Sequence, residues 1–220
     1  MTNMKKAVVL LSSGLDSTVN LYRAHRELDI VLALHFDYGQ RAGKQEKIHA
    51  KKIADHLGIK FQVIDLPWFN NFSNSSLTNM NKDMVTHVEI DNLEASKESA
   101  KNVWVPNRNG IFLNIAAAFA EQLHADYVIP GFNAEEGATF PDNTPEFMMS
   151  LDTAFSFSTS NKVKTLCYTA NMNKAEIYSL GLELGVDYSM VWPCYQSLAE
   201  PCGICESCLR FMSAKKSRNS

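Results

Sequence analysis

The sequence predicts an open, doubly wound α/β fold with a mainly parallel sheet and a small zinc-binding segment at its C-terminal end. Three observations support this prediction. Short β-branched apolar runs alternate with helical stripes in the first third of the chain. A turn rich in Ser and Gly joins the first run to the first stripe, and Cys194 precedes the closely spaced Cys202, Cys205 and Cys208. Such folds bind ligands at the carboxyl ends of their strands, so we expect a site at this turn.

The length and composition are those of a globular protein with one main domain. The 220 residues are 45% hydrophobic and 20% charged. No run approaches the roughly 20 apolar residues of a membrane span. The net charge of −3, with basic residues concentrated only in Lys215–Arg218, gives no electrostatic footprint for nucleic acid. The apolar run Ala7–Leu11 is shorter than the core of a signal peptide, so we expect a cytoplasmic protein whose CxxC spacings serve a metal.

Helix and strand patterns alternate regularly up to residue 65. The apolar runs 6–11, 30–36 and 61–65 predict buried parallel strands. Leu15, Val19 and Tyr22 form one stripe of a helix, and a second stripe ends at Leu57, where Gly58 is a stop signal. This alternation predicts right-handed crossovers and a sheet covered on both faces.

The later part of the chain is less regular. Residues 67–102 show little periodicity and are rich in Asn and Ser, which predicts a structureless surface segment or a lid. Beyond it we expect a buried helix over 111–123, strands over 127–130 and 162–167, and a helix that begins with the capping box of Asn173 and Glu176 and ends at Gly185. The expected division is a main domain over 1–190, with residues 66–103 as a mobile insert or lid, and a zinc-binding segment over 191–220.

The turn after the first strand has the composition of a phosphate site. The free N–H groups of a helix N-terminus bind anions, and Ser and Gly permit close approach and add hydroxyl groups. The segment has neither the Lys of a Walker-type loop nor a GxGxxG pattern. A serine-capped helix start without a ligand is the plain alternative. The candidate nucleotide-binding residues are Leu11, Ser12, Ser13, Gly14, Leu15, Asp16, Ser17 and Thr18.

The four C-terminal cysteines have the spacing of a metal site. Cys202, Cys205 and Cys208 form two overlapping CxxC steps, and Cys194 can supply a fourth ligand. Four protein ligands leave no open position for water, so a zinc ion here would be structural. An iron–sulfur cluster is the chemical alternative, although its signatures prefer other spacings.

The turn Ser12–Ser17 resembles the SGGxDS pyrophosphate loop of the ATP pyrophosphatases. Further segments, Phe36–Arg41, Val105–Asn109, Gly131–Glu136 and the cysteine block, extend the resemblance over nearly the whole chain, to the 7-cyano-7-deazaguanine synthase family. The chain departs from the usual motifs at Ser13, where Gly is common, and at Phe140–Asn143, where Tyr-Pro-Asp-Cys is common. A left-handed backbone at Ser13 would cost on the order of 1 kcal/mol.

The resemblance implies a fold like that of the adenine nucleotide alpha hydrolases and an ATP-dependent conversion of 7-carboxy-7-deazaguanine and ammonia to a nitrile. It implies a homodimer, with Mg²⁺ accompanying ATP and Zn²⁺ held by Cys194, Cys202, Cys205 and Cys208. Asp16, Ser17 and Arg108 are the expected catalytic residues. The expected contacts with the deazapurine substrate are Arg108, Asn109, Phe132, Asn133 and Asp142.

Two other functions remain open from the sequence. Another ATP pyrophosphatase could act on tRNA, but it would usually need additional RNA-binding mass or a reactive cysteine pair. A non-catalytic zinc protein could bind single-stranded nucleic acid, but Glu200 and Glu206 flank the cysteines where basic residues would be expected.

Overall fold

The computed structural model describes residues 4–217, in which five strands and eight α-helices alternate along the chain. The strands are β1 (Lys6–Leu10), β2 (Asp29–Asp37), β3 (Phe61–Asp65), β4 (Tyr127–Ile129) and β5 (Lys164–Thr165). The helices are α1 (Leu15–His25), α2 (Gly43–His56), α3 (Leu93–Val103), α4 (Arg108–Gln122), α5 (Ala134–Gly137), α6 (Pro145–Ser158), α7 (Lys174–Leu184) and α8 (Glu206–Lys216).

The strands form one parallel sheet in the order β3-β2-β1-β4-β5. The chain builds outward from β1 to β3 and then returns to place β4 on the other side of β1. The order therefore reverses between β1 and β4, and a crevice opens at the carboxyl ends of these two strands. The predicted doubly wound fold is confirmed.

Apolar side chains cover both faces of the sheet, as the continuous apolar runs predict. Along β2, Ala33 packs on one face with residues of α1, α2 and α7. Leu34 and Phe36 pack on the other face with residues of α4 and α6. The sheet is thus the middle of three layers, and only its ends can accept a ligand.

The boundaries of α7 follow the local sequence signals closely. The Asn173 side chain accepts a hydrogen bond from the Glu176 N–H at 2.9 Å, and the Glu176 carboxylate accepts one from the Asn173 N–H at 2.8 Å. Gly185 ends the helix with φ 80°. Both the capping box and the C-terminal glycine are confirmed.

The expectation that residues 67–102 lack regular structure is wrong at both ends of that range. Residues Pro67–Asn71 form a 3-10 turn, and α3 covers the last part. The Asn92 side chain caps α3 by accepting hydrogen bonds from the N–H groups of Glu94 and Ala95. The buried face of α3 consists of the small or polar residues Ser96, Ser99 and Ala100 together with Val103, so a search for large apolar residues does not reveal it.

Two further differences lie after the crevice. Helix α6 begins at a Thr144 cap and Pro145, but the sequence analysis assigns no element there, because exposed Met149 and Phe157 blur its apolar stripe. The strand expected over 162–167 pairs only at Lys164 and Thr165.

No helix among the described residues is long and apolar enough to cross a membrane. Of the basic tail, Lys215 and Lys216 end α8, and Arg218 lies outside the described residues.

Candidate active site

A cavity lies at the carboxyl ends of β1, β2 and β4, where the strand order reverses. The turn after β1 forms its floor, and residues of α2, α4 and the segment after β4 form its sides. The C-terminal segment closes it with Cys194, Tyr195 and Arg210, while Leu77 and Val103 contribute from the insert. One cavity therefore gathers the phosphate-type turn, four of the five predicted substrate contacts and part of the cysteine segment.

The turn after β1 is held open by its own hydroxyl groups. The Ser12 and Ser17 Oγ atoms lie 3.0 Å apart, and the Gly14 N–H donates to Ser12 Oγ at 3.3 Å. Thr18 Oγ1 donates to the Gly14 carbonyl at 2.7 Å. Gly14 is the N-cap of α1, and no side chain caps the helix there. The plain serine-cap alternative does not apply, and the first N–H groups of α1 stay available to an anion.

A glycine brings β4 against the first turn of α1. A Cβ atom on Gly131 would lie 2.6 Å from the Ser17 nitrogen and 2.7 Å from its Cα. Real Cβ contacts are almost never this short, so only glycine fits at this position. This close contact fixes the distance between α1 and the segment after β4, and therefore the position of the turn at the cavity.

The candidate nucleotide-binding residues do not all face the cavity. Leu11, Ser12, Gly14, Leu15, Asp16 and Ser17 line it. Ser13 and Thr18 are fully buried and do not line it. Ser13 has φ 66°, its carbonyl accepts a hydrogen bond from the Trp192 N–H at 2.9 Å, and its buried Oγ has no partner. The Ser13 hydroxyl is therefore buried away from the cavity, and Ser12 and Ser17 are the serines of the turn that line it.

Asp16 lies in a buried charge cluster beside the turn. Its Oδ2 atom accepts hydrogen bonds from Lys174 Nζ at 2.5 Å and from Asn133 Nδ2 at 3.2 Å, and its buried Oδ1 has no partner. Lys174 also pairs with Glu136 at 2.8 Å. Burial and the Glu136 charge raise the pKa of Asp16 to about 6 although Lys174 opposes the shift. A second cation next to Oδ1 would complete the charge balance of this cluster.

Asn133 supports this cluster from behind. It is fully buried, its amide nitrogen donates to Asp16, and its carbonyl oxygen accepts from the Glu136 N–H at 2.9 Å as the cap of α5. It does not line the cavity. In the structure Asn133 therefore contacts Asp16 and does not face the cavity.

Arg108 is the first residue of α4 and reaches into the cavity. Its Nη1 donates to the Tyr38 hydroxyl at 3.2 Å, and the guanidinium lies 5.8 Å from the centre of the Tyr38 ring. Burial works against its charge, but Tyr38, Asp142 and Glu136 raise the pKa of Arg108 above its ordinary value. No carboxylate of the described residues lies within ion-pair distance of Arg108, so this cation is available to a ligand anion.

The other predicted substrate residues surround Arg108. Asn109 donates to the Asp142 carbonyl at 3.4 Å, and both residues line the cavity. Phe132 is buried and presents its ring to the cavity wall. The rings of Trp104 and Phe140 also line the cavity and are nearly parallel, with an angle of 10° and 6.1 Å between centroids. These flat apolar surfaces suit a planar heterocycle.

The four predicted metal ligands converge in space. Their Sγ atoms all lie within 4.8 Å of one another, and those of Cys202 and Cys208 are 4.0 Å apart. A tetrahedral metal with bonds of about 2.3 Å to sulfur needs sulfur atoms about 3.8 Å apart. The N–H groups of Gln196 and Cys202 point at Cys194 Sγ at 3.4 Å, as donors do around metal-bound thiolates. The residues therefore fit a metal ion.

The cysteine segment is also tied to the insert. Cys205 forms a β-bridge with Thr86, and the His87 N–H donates to the Ile204 carbonyl at 2.9 Å. A metal bound to Cys205 would thus stabilise the attachment of the insert, because it fixes the strand that the insert pairs with.

Arg210 of α8 links the same two segments to the cavity. It donates to Glu206 at 2.9 Å, to Glu135 at 2.7 Å and to Ser96 Oγ of α3 at 3.0 Å. Glu206 accepts a further hydrogen bond from Ser99 of α3 at 2.5 Å. This network joins α3, α5 and α8, which are far apart in sequence.

Several residues of the site escaped the sequence analysis. Lys174, the partner of Asp16, directly follows the cap Asn173 and looks like an ordinary helix-start residue. Glu46 and Trp104 line the cavity from α2 and from the end of α3. Lys174 and Trp104 contact residues more than 30 positions away, and Glu46 pairs with nearby Gln40 in no recognised motif, so no short-range pattern marks them.

The chain is similar to known proteins over its whole length. The family model described as queuosine biosynthesis protein QueC matches residues 6–217. A 7-cyano-7-deazaguanine synthase of Bdellovibrio bacteriovorus is 56% identical over 224 residues, which covers 100% of this chain and 96% of that protein. The corresponding protein of Carboxydothermus hydrogenoformans is 48% identical over 96% of this chain and 99% of its own length.

The fold also resembles that of a solved structure. A 4-thiouridine synthetase, determined in complex with RNA and with bound ATP, superposes with a TM-score of 0.53 at 15% identity. The match covers 96% of this chain and 50% of that one. At this identity the likeness concerns the fold alone.

Proposed function

Since this chain belongs to the QueC family of queuosine biosynthesis proteins, we propose that it converts 7-carboxy-7-deazaguanine and ammonia to 7-cyano-7-deazaguanine at the expense of two ATP. The carboxylate attacks the α-phosphate of ATP and releases pyrophosphate, and ammonia then displaces AMP to give the amide. The amide oxygen attacks the α-phosphate of a second ATP and releases a second pyrophosphate, and loss of AMP and of both amide protons leaves the nitrile. The observation that carries the proposal is the joining of a phosphate-type turn, Arg108 and an aromatic wall in one cavity.

In this proposal the pyrophosphate of ATP lies on the turn after β1. The free N–H groups at the start of α1 and the hydroxyl groups of Ser12 and Ser17 face the cavity and stabilise the charge that develops on the leaving group. The unpartnered Oδ1 of Asp16 suits a Mg²⁺ ion that accompanies the phosphates, since Mg²⁺ prefers one or two carboxylates together with phosphate oxygens. Lys174 and Asn133 hold Asp16 in place.

We propose that the deazapurine occupies the side of the cavity near α4. Arg108 would bind an anionic group, either the substrate carboxylate or phosphate, because its planar fork suits both. Asn109, Phe132 and Asp142 would contact the base, and Trp104 and Phe140 would contact its faces. Arg108 thereby acts on the reacting group, whereas the other residues position it.

Free ammonia is the proposed nitrogen source. A glutaminase site needs a nucleophilic thiolate with a positioned base. Four of the five cysteines converge on one metal-type site. The remaining one, Cys167, contacts the Phe132 carbonyl and Thr169 Oγ1, and burial raises its pKa, which disfavours the thiolate.

The metal is proposed to be Zn²⁺ held by Cys194, Cys202, Cys205 and Cys208. Zinc bound by four thiolates supplies structural stability and no reactive position.

Residues 66–103 would act as a lid, since Leu77 and Val103 line the cavity while Thr86 attaches the segment to the cysteine loop. We further propose a homodimer in the cytoplasm; the exposed Met149 and Phe157 of α6 are the apolar side chains that such an interface would cover.

A turnover assay tests the proposal directly. The purified protein would be incubated with ATP, Mg²⁺, ammonium and 7-carboxy-7-deazaguanine, and mass spectrometry would follow AMP and the base together. Nitrile with two AMP per product is the expected result. AMP without nitrile would keep the adenylating turn but redirect the acyl acceptor, and no AMP at all would contradict the proposal.

A further inference from the structure

Glu46 is a cavity carboxylate that the reaction outlined above does not use. It lies in the first turn of α2 and lines the cavity, and no basic side chain of the described residues forms an ion pair with it. Its Oε2 accepts a hydrogen bond from Gln40 Nε2 at 2.8 Å. Its Oε1 has no hydrogen-bond partner among the described residues and remains accessible. An accessible acceptor at a cavity wall can receive a hydrogen bond from a ligand.

The orientation of Glu46 is fixed from one side. The Tyr38 N–H donates to Gln40 Oε1 at 2.9 Å, and Gln40 Nε2 also donates to the Phe36 carbonyl at 3.0 Å. Gln40 is therefore fixed in its orientation, and it holds one oxygen of the Glu46 carboxylate while the other oxygen stays unpaired. A pre-oriented acceptor of this kind loses little conformational entropy when a ligand binds.

The charge state of Glu46 also indicates a ligand. Burial raises its pKa to about 7, against the opposing effects of Gln40 and Arg108, and Asp37 and Cys194 raise it further. A carboxylate left half-ionised at neutral pH is poorly solvated, and N–H donors from a ligand would stabilise its charged form.

We propose that Glu46 is the specificity-determining residue for the base, accepting the ring N–H and the 2-amino N–H of a 2-amino-4-oxo-pyrimidine edge. These are two adjacent donors, and a carboxylate offers two adjacent acceptors. The carbonyl oxygen of the pyrimidine ring and the carboxyl group at C7 are neighbours on the next edge of the base, where Arg108 can donate to them. This inference rests on the proposed function and identifies the residue that recognises its substrate.

A different role for Glu46 would be to take a proton from ammonium. Arg108 opposes that role, because its positive charge lies near enough to Glu46 to lower the pKa of the carboxyl and would repel an ammonium ion beside it. A neutral base with N–H donors meets no such repulsion. The electrostatics therefore favour recognition of the base.

The test compares Glu46→Gln with the wild-type enzyme on two bases, 7-carboxy-7-deazaguanine and its analogue without the 2-amino group. Asp55→Asn, an exposed change on the same helix, is the matched control. Wild type should bind the amino form at least about 100-fold better by calorimetry without ATP, since a site built to receive an N–H group rejects a ligand that lacks it. In Glu46→Gln, Kd and KM for the amino form should rise about 10- to 100-fold and the preference should almost vanish.

The same comparison contains its own checks. KM for ATP and kcat at saturating base should change by less than about threefold, because Glu46 does not touch the phosphates in this proposal. In wild type the affinity for the base should fall as the pH drops below about 7, because protonated Glu46 loses an acceptor. Glu46→Gln should lose this dependence, while Arg108, Asp37 and Cys194 remain in place around it.

Three results would overturn the inference. Unchanged base affinity in Glu46→Gln would do so, as would a raised KM for ammonium with base affinity intact, which would assign the proton role instead. Loss of the 2-amino preference in Asp142→Asn but not in Glu46→Gln would transfer recognition to Asp142. If wild type binds the base but makes no AMP, the proposed function fails while the binding comparison still tests Glu46.

Discussion

Replacing Gly131 by Ala tests whether the close approach of β4 to α1 sets the geometry of the phosphate turn. The added methyl group would lie 2.6 Å from the Ser17 nitrogen and 2.9 Å from the Ser17 Cβ. An ordinary contact starts near 3.4 Å. Because the atoms it meets are mainly backbone, the clash cannot be relieved by a side-chain rotation alone. The segment after β4 and the first turn of α1 must move apart.

The displacement needed is about 0.8 Å, and errors of about 1 Å in the placement of reacting groups cost on the order of 100-fold in rate. We therefore expect kcat/KM for ATP to fall about 100-fold, which corresponds to roughly 2.7 kcal/mol of transition-state stabilisation. Overpacking of a buried contact costs about 1 to 3 kcal/mol of folding free energy. For a chain of this size the melting temperature should fall by about 2 to 12 °C.

Gly185→Ala provides the matched control. Gly185 has φ 80° but no atom within 4 Å of an added Cβ, and it lies at the end of α7 away from the cavity. It should lose about 1 kcal/mol of stability through backbone strain and keep normal activity. The measurements are steady-state release of pyrophosphate and thermal unfolding of both variants. If Gly131→Ala loses no more activity than Gly185→Ala, the argument that this contact positions the turn is refuted.

Three other substitutions test the remaining parts of the site. Asp16→Asn should lower pyrophosphate release at least about 100-fold, because it removes the proposed Mg²⁺ ligand, but should cost little stability since burial already favours a neutral side chain; normal turnover would contradict the assignment of the turn. Cys205→Ser should lose the bound metal and about 10 °C of melting temperature, whereas Cys167→Ser should keep both. Loss of activity in Cys205→Ser with metal content and melting temperature unchanged would show that the metal is not structural. Ser13→Gly should raise the melting temperature by about 2 to 4 °C, because it removes a left-handed Ser and an unpartnered buried hydroxyl. The net gain in folding free energy is on the order of 1 kcal/mol after the entropy cost of Gly. An unchanged or lower melting temperature would contradict that account.

Much of the fold is predictable from the sequence because local signals and burial coincide. The runs that become β1, β2 and β3 are apolar on both faces, and α7 carries a cap at each end. Helix α3 is different, since its stability comes from an Asn cap, helix-forming residues and surface ion pairs such as Glu94 with Lys97. The spacing of apolar residues does not reveal these contributions to the stability of the helix. The pairing of β5 is limited to two residues, Lys164 and Thr165.

Within the candidate site, some residues belong to local sequence motifs and others depend on the tertiary structure. The turn at Ser12–Ser17 and the four cysteines are contiguous motifs, so their chemistry can be read without knowing the fold. Lys174 meets Asp16 only in the tertiary structure, and Glu46 pairs locally with Gln40 but joins the cavity only through the fold. Ser13 shows the opposite case, because its residue type suits a phosphate ligand while its left-handed backbone turns the hydroxyl into the protein.

The shared wall between the cysteine site and the cavity affects how inhibition experiments should be read. Cys194 both belongs to the four-sulfur site and lines the cavity, next to Tyr195. Extraction of a metal that touches no reactant would let this wall shift and would slow the enzyme. A chelator would also withdraw the Mg²⁺ that travels with ATP. Sensitivity to chelators therefore does not identify a catalytic metal here, and the two effects separate when Mg²⁺ and Zn²⁺ are added back one at a time.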